Sequence, residues 1–410
     1  MTRKATTGNA GQKVRSDCEV TLELKKSGGI KIDLTSKVKT LYGRSIEELC
    51  HKMLDFYTVS DCHITLTDSG ALPFVIEARL EAAVRRVTGT DLEFLPHMIY
   101  RNKYSTSKDR FRFTRLYLPG NTPGLMINAG LHHPDAIILD LEDSVAPDKK
   151  DESRILVRNA LRQIDFMGAE RMVRINQGTR GLEDLDYIIP HNVNLVLIPK
   201  CQSADEVIAV ENRIAAIRKG EKDVNPVWLM PIIESALGIE NCFAISNASE
   251  NIVAIAIGLE DFTADIGVVR TSDGFESLYA RTRLVNAARA AGIQPIDSVF
   301  SDVSDMDGLL RNVLTSKSLG FEGMGCIHPR QIAVINKGFS PGEEDIKKAQ
   351  RIFIAFEEAK ARGLGVVALG TKMVDKPVVN KALRTLELAV RLGILEEDWN
   401  ENIQPDLLAE

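Results

Sequence analysis

From Arg115 onward, short apolar runs rich in β-branched residues alternate with longer amphipathic stretches. RLYLPG, AIILDLED, RMVRIN, LVLIPK, VWLMPIIE, IVAIAIGLED, PIDSVF and GMGCIHP predict strands. Their nearly unbroken apolar character is that of strands buried on both faces, as in parallel sheets. Between them ESRILVRNALRQI, ADEVIAVENRIAAIR, SLYARTRLVNAARAAG and MDGLLRNVLTSKSLG carry the 3.6-residue period of helices. Eight strands separated by helices, over roughly 220 residues, predict an α/β fold of the TIM (β/α)8 barrel type. An open doubly wound sheet is the competing architecture, but no GxGxxG turn follows the first strand.

The segments flanking this alternation read differently. CEVTLELKKSGGIKIDLTS predicts two strands joined as a hairpin around Ser-Gly-Gly. SIEELCHKMLDFY predicts a helix entered from a Ser cap, and HITLTDSGALPFVIEARLEAAVRRV a strand, a turn and a second strand running into a helix. Residues 1–95 therefore form a small α+β domain, 96–113 a linker, 114–340 the barrel and 341–410 a C-terminal helical extension. In that extension EEDIKKAQRIFIAFEEAKARG and VVNKALRTLELAVRLG predict helices around an irregular GVVALGTKMVDKP connection. Their apolar faces need cover from the barrel or from a neighbouring subunit.

Composition narrows the function classes. A net charge of −6 over 410 residues, with no basic stripe, argues against nucleic-acid or anionic-membrane partners. No run approaches the ~20 apolar residues of a membrane span, and the N-terminus lacks the apolar core of a secretory signal. The 6 cysteines show no CxxC spacing. Reduced thiols in the cytoplasm are the expectation.

Candidate chemistry sits at the carboxyl ends of the predicted strands, the face on which barrel sites are built. Arg115 opens the first strand. Asp140, Glu142 and Asp143 close the second, Arg174 the third and Lys200 the fourth. Glu234 closes the fifth, Glu260 and Asp261 the sixth, and His328-Pro329 shapes a turn after the eighth. Glu234 and Asp261 follow adjacent strands without an obvious basic neighbour, and two carboxylates with water and substrate oxygens make a site for Mg²⁺. An alternative for Asp261 is a helix cap. Glu142 and Asp143 are placed to orient metal-bound water or to pair with Arg174. Arg174 offers a planar fork for a substrate carboxylate, with a structural ion pair as the alternative. Asp375, between Gly and Pro, suits either a helix N-cap or an acid/base group on a lid.

Taken together, LYLPGN, AIILDLEDSVAPDKK, MVRIN, LVLIPK, PIIESALGI, IGLEDFTADIG, AARAAGIQPIDSVFSD, LGFEGMGCIHPRQI and GLGVVALGTKMVDKPVV resemble, in order from Arg115 to Gly393, the citrate lyase β subunit. They resemble more broadly the citrate lyase/malyl-CoA lyase branch of metal-dependent aldolase barrels. Residues 10–90, most clearly DSGALPFVIEARLEAAVRR, resemble the citrate lyase γ subunit, a small acyl carrier protein. The resemblance implies Mg²⁺-dependent cleavage of a citryl thioester to oxaloacetate and an acetyl thioester. It implies Glu234 and Asp261 as metal ligands, Arg174 as the grip on the keto-acid, and Arg115, Glu142 and Asp143 around the substrate. It also implies Asp375 as acid/base, reaching an adjacent subunit in a homotrimer or a multiple of one, with a separate transferase subunit as a partner.

The carrier family bears a phosphoribosyl-dephospho-CoA arm on the Ser that opens a Ser-Gly-Asp or Ser-Ser-Asp triplet. Here that position is Arg15, and Ser16 follows in Arg-Ser-Asp. Ser16 takes the arm after a one-residue slip, or the module is unloaded. In the second case the chain is a malyl-CoA- or citramalyl-CoA-type lyase acting on free CoA thioesters. A non-catalytic assembly subunit is the remaining alternative, opposed by the full set of acids and Arg174.

Overall fold

The computed structural model describes residues 3–220, 225–361, 367–369 and 372–400, with the backbone alone for 367–369 and 372–374. The chain divides into two compact units, residues 1–335 and 336–410.

The first unit opens with a mixed four-stranded sheet: β1 (Lys4–Gly8), β2 (Cys18–Leu24), β3 (Ile30–Ser36) and β4 (Cys62–Asp68), in the order β1-β2-β4-β3. The predicted β2–β3 hairpin is not formed. β4 lies between the two, antiparallel to β2 and parallel to β3. Burial explains the order. β2 and β4 bury Cys18, Val20, Leu22, Ile64 and Leu66 completely, whereas Leu34 alone is buried on β3, which suits an edge.

Helix α1 (Lys39–Phe56) starts well before the predicted Ser cap; Ser45 lies inside it, its hydroxyl donating to the Tyr42 carbonyl at 2.9 Å. Helix α2 (Pro73–Thr88) absorbs the predicted second strand, with Pro73 in its first turn. All residues from Phe74 to Val84 are buried, so neither face shows an amphipathic period. Ile76, Leu80, Ala83 and Val84 pack on the sheet.

The eight barrel strands are β5 (Thr114–Pro119), β6 (Ala136–Asp140), β7 (Glu170–Arg174), β8 (Leu195–Ile198), β9 (Trp228–Ile233), β10 (Ala254–Ile257), β11 (Gln294–Ile296) and β12 (Met324–Cys326). Each pairs in parallel with the next, β12 returns to β5, and a parallel bridge between Asp297 and Met324 closes the ring. The interior is filled by alternate residues: Ala136 and Ile138, Met172, Leu195 and Leu197, Met230 and Ile232, Ala254 and Ala256, Ile296.

In the second unit, helices Glu343–Ala361 and Lys376–Arg391 flank two short antiparallel strands, Val367–Leu369 and Lys372–Val374, where an irregular connection was expected. The two helices cover each other, through Ile346, Ala349 and Ile352 against Val379, Ala382 and Leu386. Their apolar stripes thus have a partner within the unit, contrary to expectation.

Candidate active site

The period of two that fills the barrel also aims its chemistry. Two residues beyond Ile138, Met172 and Ile232 stand Asp140, Arg174 and Glu234, on the same inward parity. The next inward position on the sixth strand is Gly258, where a Cβ would overlap the Glu234 carboxylate. These residues line a cavity of about 1210 Å³ at the carboxyl ends of the strands, together with Arg115, Tyr117, Asp143, Asp261 and His328.

Asp140 and Arg174 form a two-point ion pair, Nε to Oδ1 at 2.6 Å and Nη2 to Oδ2 at 2.7 Å. The turn after β6 wraps the same carboxylate, with the Glu142 and Ser144 amides donating to it. Burial alone would raise the Asp140 pKa, but Arg174 and these donors outweigh it and lower it. For Arg174 burial opposes the charge, and Asp140 prevails, raising its pKa. The remaining amino group, Nη1, is 3.1 Å from Glu142 and 3.8 Å from Asp143, and the guanidinium lies over the Tyr117 ring.

Glu234 is buried, and its Oε2 accepts the Lys200 amide at 3.0 Å. Burial, with the charges of Asp261 and Glu142 adding to it against Arg174, pushes its carboxyl up to about 7. Asp261 lies in the first turn of the helix Leu259–Asp265, whose N-cap is Gly258, so it is not the cap itself. Lys200 has φ +48°, and its ammonium stands 3.2 Å from Glu142, 3.3 Å from Asp143 and 4.0 Å from Asp261. Asp261 therefore does have a basic neighbour, Lys200, which follows β8. The cation acting on Glu234 is Arg174, at the end of β7. Neither is visible in local sequence.

Arg115 is 1% exposed inside the barrel. Its Nη1 contacts the Met230 sulfur at 3.1 Å, Nη2 donates to the Asp297 carbonyl at 3.4 Å, and Nε has no partner among the described residues. Burial lowers its pKa to about 10, so it remains a cation at neutral pH. The Asp297 carboxylate is taken by Arg281 and Ser316. His328 accepts the Arg330 amide at 3.1 Å, in keeping with the expected turn role.

Two further placements concern the chain's ends. Ser16, φ +55°, lies in the turn before β2, and its hydroxyl has no hydrogen-bond partner among the described residues. That turn abuts Gly124, a cavity-lining residue whose added Cβ would lie 2.9 Å from the Arg15 carbonyl oxygen and 3.8 Å from Ser16 Cβ. Asp375 belongs to the second unit, where it caps the helix Lys376–Arg391 by accepting the Val378 amide at 3.3 Å.

Reasoning on single residues named Asp140 and Lys200 among the strand-end charges but gave them no place in the proposed site, and it did not single out Tyr117. The signal for Asp140 and Tyr117 was strand parity: Tyr117 is two residues from Arg115, and Asp140 two from Ile138.

Among the described residues no three or more His, Cys, Asp or Glu side chains converge on a metal position. Glu234 and Asp261 nevertheless suit Mg²⁺, which takes one or two carboxylates and keeps water and substrate oxygens.

Residues 114–329 match the HpcH/HpaI aldolase/citrate lyase family. The chain belongs to this family. Residues 5–87 match the malonate decarboxylase delta subunit (MdcD) family, so the lyase barrel follows an acyl-carrier-like domain. This family member is 38% identical to the citrate lyase subunit beta of Leuconostoc mesenteroides subsp. cremoris over 301 residues, 72% of this chain and 98% of that one. It is 34% identical to the mitochondrial citramalyl-CoA lyase of Homo sapiens over 309 residues, 72% of this chain and 91% of that one. The crystal structure of CitE from Mycobacterium tuberculosis in complex with magnesium, acetoacetate and coenzyme A matches with a TM-score of 0.59 at 28% identity, covering 69% of this chain and 99% of that one. The chain is thus a member of the citrate lyase β/CoA lyase group of carbon–carbon lyases. Its helices include none long and apolar enough to cross a membrane among the described residues.

Proposed function

We propose that the protein cleaves a citryl-type 3-hydroxyacyl thioester, held on an arm at Ser16, to oxaloacetate and an acetyl thioester. The observation that carries this reading is the join within one chain: the Arg15–Ser16 turn of the carrier-like module packs on Gly124, at the wall of the lyase cavity. A phosphoribosyl-dephospho-CoA arm needs a hydroxyl free for a phosphodiester, and Ser16 offers one. Six buried free thiols suit action in the cytoplasm.

Glu234 and Asp261 would hold Mg²⁺. The bound ion would polarise the hydroxyl that becomes the ketone and offset charge on the adjacent carboxylate. Arg174, fixed by Asp140, presents Nη1 to the keto-acid half. Arg115, a buried cation with an unused donor, faces the same cavity and favours a polyanionic substrate. As the hydroxyl proton leaves to water, the bond between the hydroxyl-bearing carbon and the thioester α-carbon breaks. Its electron pair passes to the thioester enolate. Asp375 of an adjacent subunit, protonated, returns a proton to that carbon. A homotrimer or a multiple of one supplies the adjacent subunit, and a transferase subunit supplies the citryl group.

A second reading, a lyase for free malyl-CoA or citramalyl-CoA thioesters, is favoured by Arg15 at the position where carriers have the modified Ser. Intact-mass spectrometry of protein from its native host tests the choice. A mass increment on the Ser16 peptide is expected; an unmodified chain that turns over free CoA thioesters overturns the carrier reading.

A further inference from the structure

A carrier domain that delivers to distant sites must swing, and a swinging domain exposes the face it docks with. In the carrier-like module here, the face that meets the barrel is not exposed. The side of α2 turned away from its own sheet, with Phe74, Val75, Ala78 and Ala82, is buried too. Asn159 of the barrel helix Lys150–Gln163 donates to the Phe74 carbonyl at 3.0 Å.

Charged groups fix the register of this contact. Arg79, completely buried, donates to Asp17 at 3.0 and 2.9 Å, to Glu152 at 3.2 Å and to the Asn121 carbonyl at 3.0 Å. Asp17 is in the module, beside Ser16. Glu152 and Asn121 are in the barrel, on the helix Lys150–Gln163 and on the loop that follows β5. Glu152 also accepts the Gly8 amide at 2.9 Å and pairs with Arg86 at 3.0 Å, while Lys149 donates to the Gly8 carbonyl. A second pair, Glu81 with Arg158, makes two 2.8 Å bonds, both side chains fully buried. Arg79 keeps Asp17 if the module leaves or rotates, but Glu152, Asn121, Arg158 and Glu81 lose the directional bonds that span the two domains.

We propose that the module is a fixed wall of the barrel mouth, in which Arg79, by gripping Asp17 and Glu152 together, positions the Arg15–Ser16 turn against Gly124. Resting on the reading of Ser16 as the attachment point, the consequence is delivery within one chain: an arm on Ser16 serves its own barrel and not that of another subunit.

Two experiments on the full-length protein separate the parts of this proposal. The six native cysteines are buried, so nitroxide labels can be placed on exposed thiols introduced as Arg15→Cys and Leu131→Cys. A single narrow distance distribution, unchanged by Mg²⁺ or substrate, is the expected result, broadened in an Arg79→Gln or, should that chain not fold, a Glu152→Gln background. A broad or two-population distribution in the otherwise unaltered protein overturns the fixed wall. The second experiment co-expresses Ser16→Ala chains, with intact barrels, and Asp261→Asn chains, with intact arms. Mixed oligomers without citryl-cleaving activity support delivery within one chain; recovery to a quarter or more of wild-type turnover overturns it. Ser16→Ala protein that is itself fully active refutes the carrier reading and the delivery consequence together, and leaves the label distances to decide the fixed wall.

Discussion

Asp140 and Arg174, the last residues of neighbouring parallel strands, sit side by side in the sheet register and join through both oxygens and two nitrogens. Two of the guanidinium's three nitrogens are thereby committed to orientation, and Nη1 is left toward Glu142 and Asp143. Asp140→Asn keeps the shape but weakens the fork. We expect a loss of about 2–3 kcal/mol in transition-state stabilisation, roughly 30- to 150-fold in kcat/KM. Steady-state kinetics in the condensation direction should show it largely as a raised KM for the keto-acid, and an unchanged KM would remove Arg174 from substrate binding.

Glu234 in the metal-free protein holds its proton up to about pH 7. A divalent ion must displace that proton, so Mg²⁺ affinity should rise as pH climbs from 6 to 8, with proton release on binding. Calorimetry in buffers of different ionisation enthalpy measures both. Glu234→Gln should abolish the proton release along with Mg²⁺-dependent turnover; unaltered Mg²⁺ affinity would show that Glu234 is not a ligand.

Asp375→Asn should lose nearly all activity while keeping its oligomeric state by light scattering. Asn also caps helices, so the helix Lys376–Arg391 keeps its start and the loss reports on proton transfer. An active variant would refute the acid/base role.

His191 gives the fold an acid limit. It is buried, its Nδ1 2.9 Å from the Arg162 guanidinium, and burial with the charges of Arg162 and Arg158 lowers its pKa to about 3. In the unfolded chain it titrates near 6.5, so below that pH the unfolded state takes up a proton that the folded state refuses. Stability is full above about pH 6.5 and falls as pH drops toward 3. Between pH 7 and 5 the loss amounts to about 2 kcal/mol at most. Urea unfolding at the two pH values should show a smaller drop for His191→Gln.

Much of the barrel was legible in the sequence because its strands are buried on both faces and its helices on one. The acids at strand ends stood out for the same reason, as charges closing apolar runs. The small sheet was misread where tertiary contacts overrode local pattern: no local signal says that β4 enters between β2 and β3. The start of α2 was taken for a strand because its second face, covered by the barrel, is apolar as well. Lys200 was undervalued because its partners, Glu142, Asp143 and Asp261, come from the segments that follow other strands.

The doubly covered helix α2 also has a history within each round of synthesis. The module's strands and α2 leave the ribosome first, and the barrel helix Lys150–Gln163 that shields Phe74, Val75 and Ala78 is made afterwards. At about 5–20 residues per second, the nascent chain carries that apolar strip uncovered for several seconds. Translation that stalls between Thr88 and Lys150 prolongs the exposure of that strip.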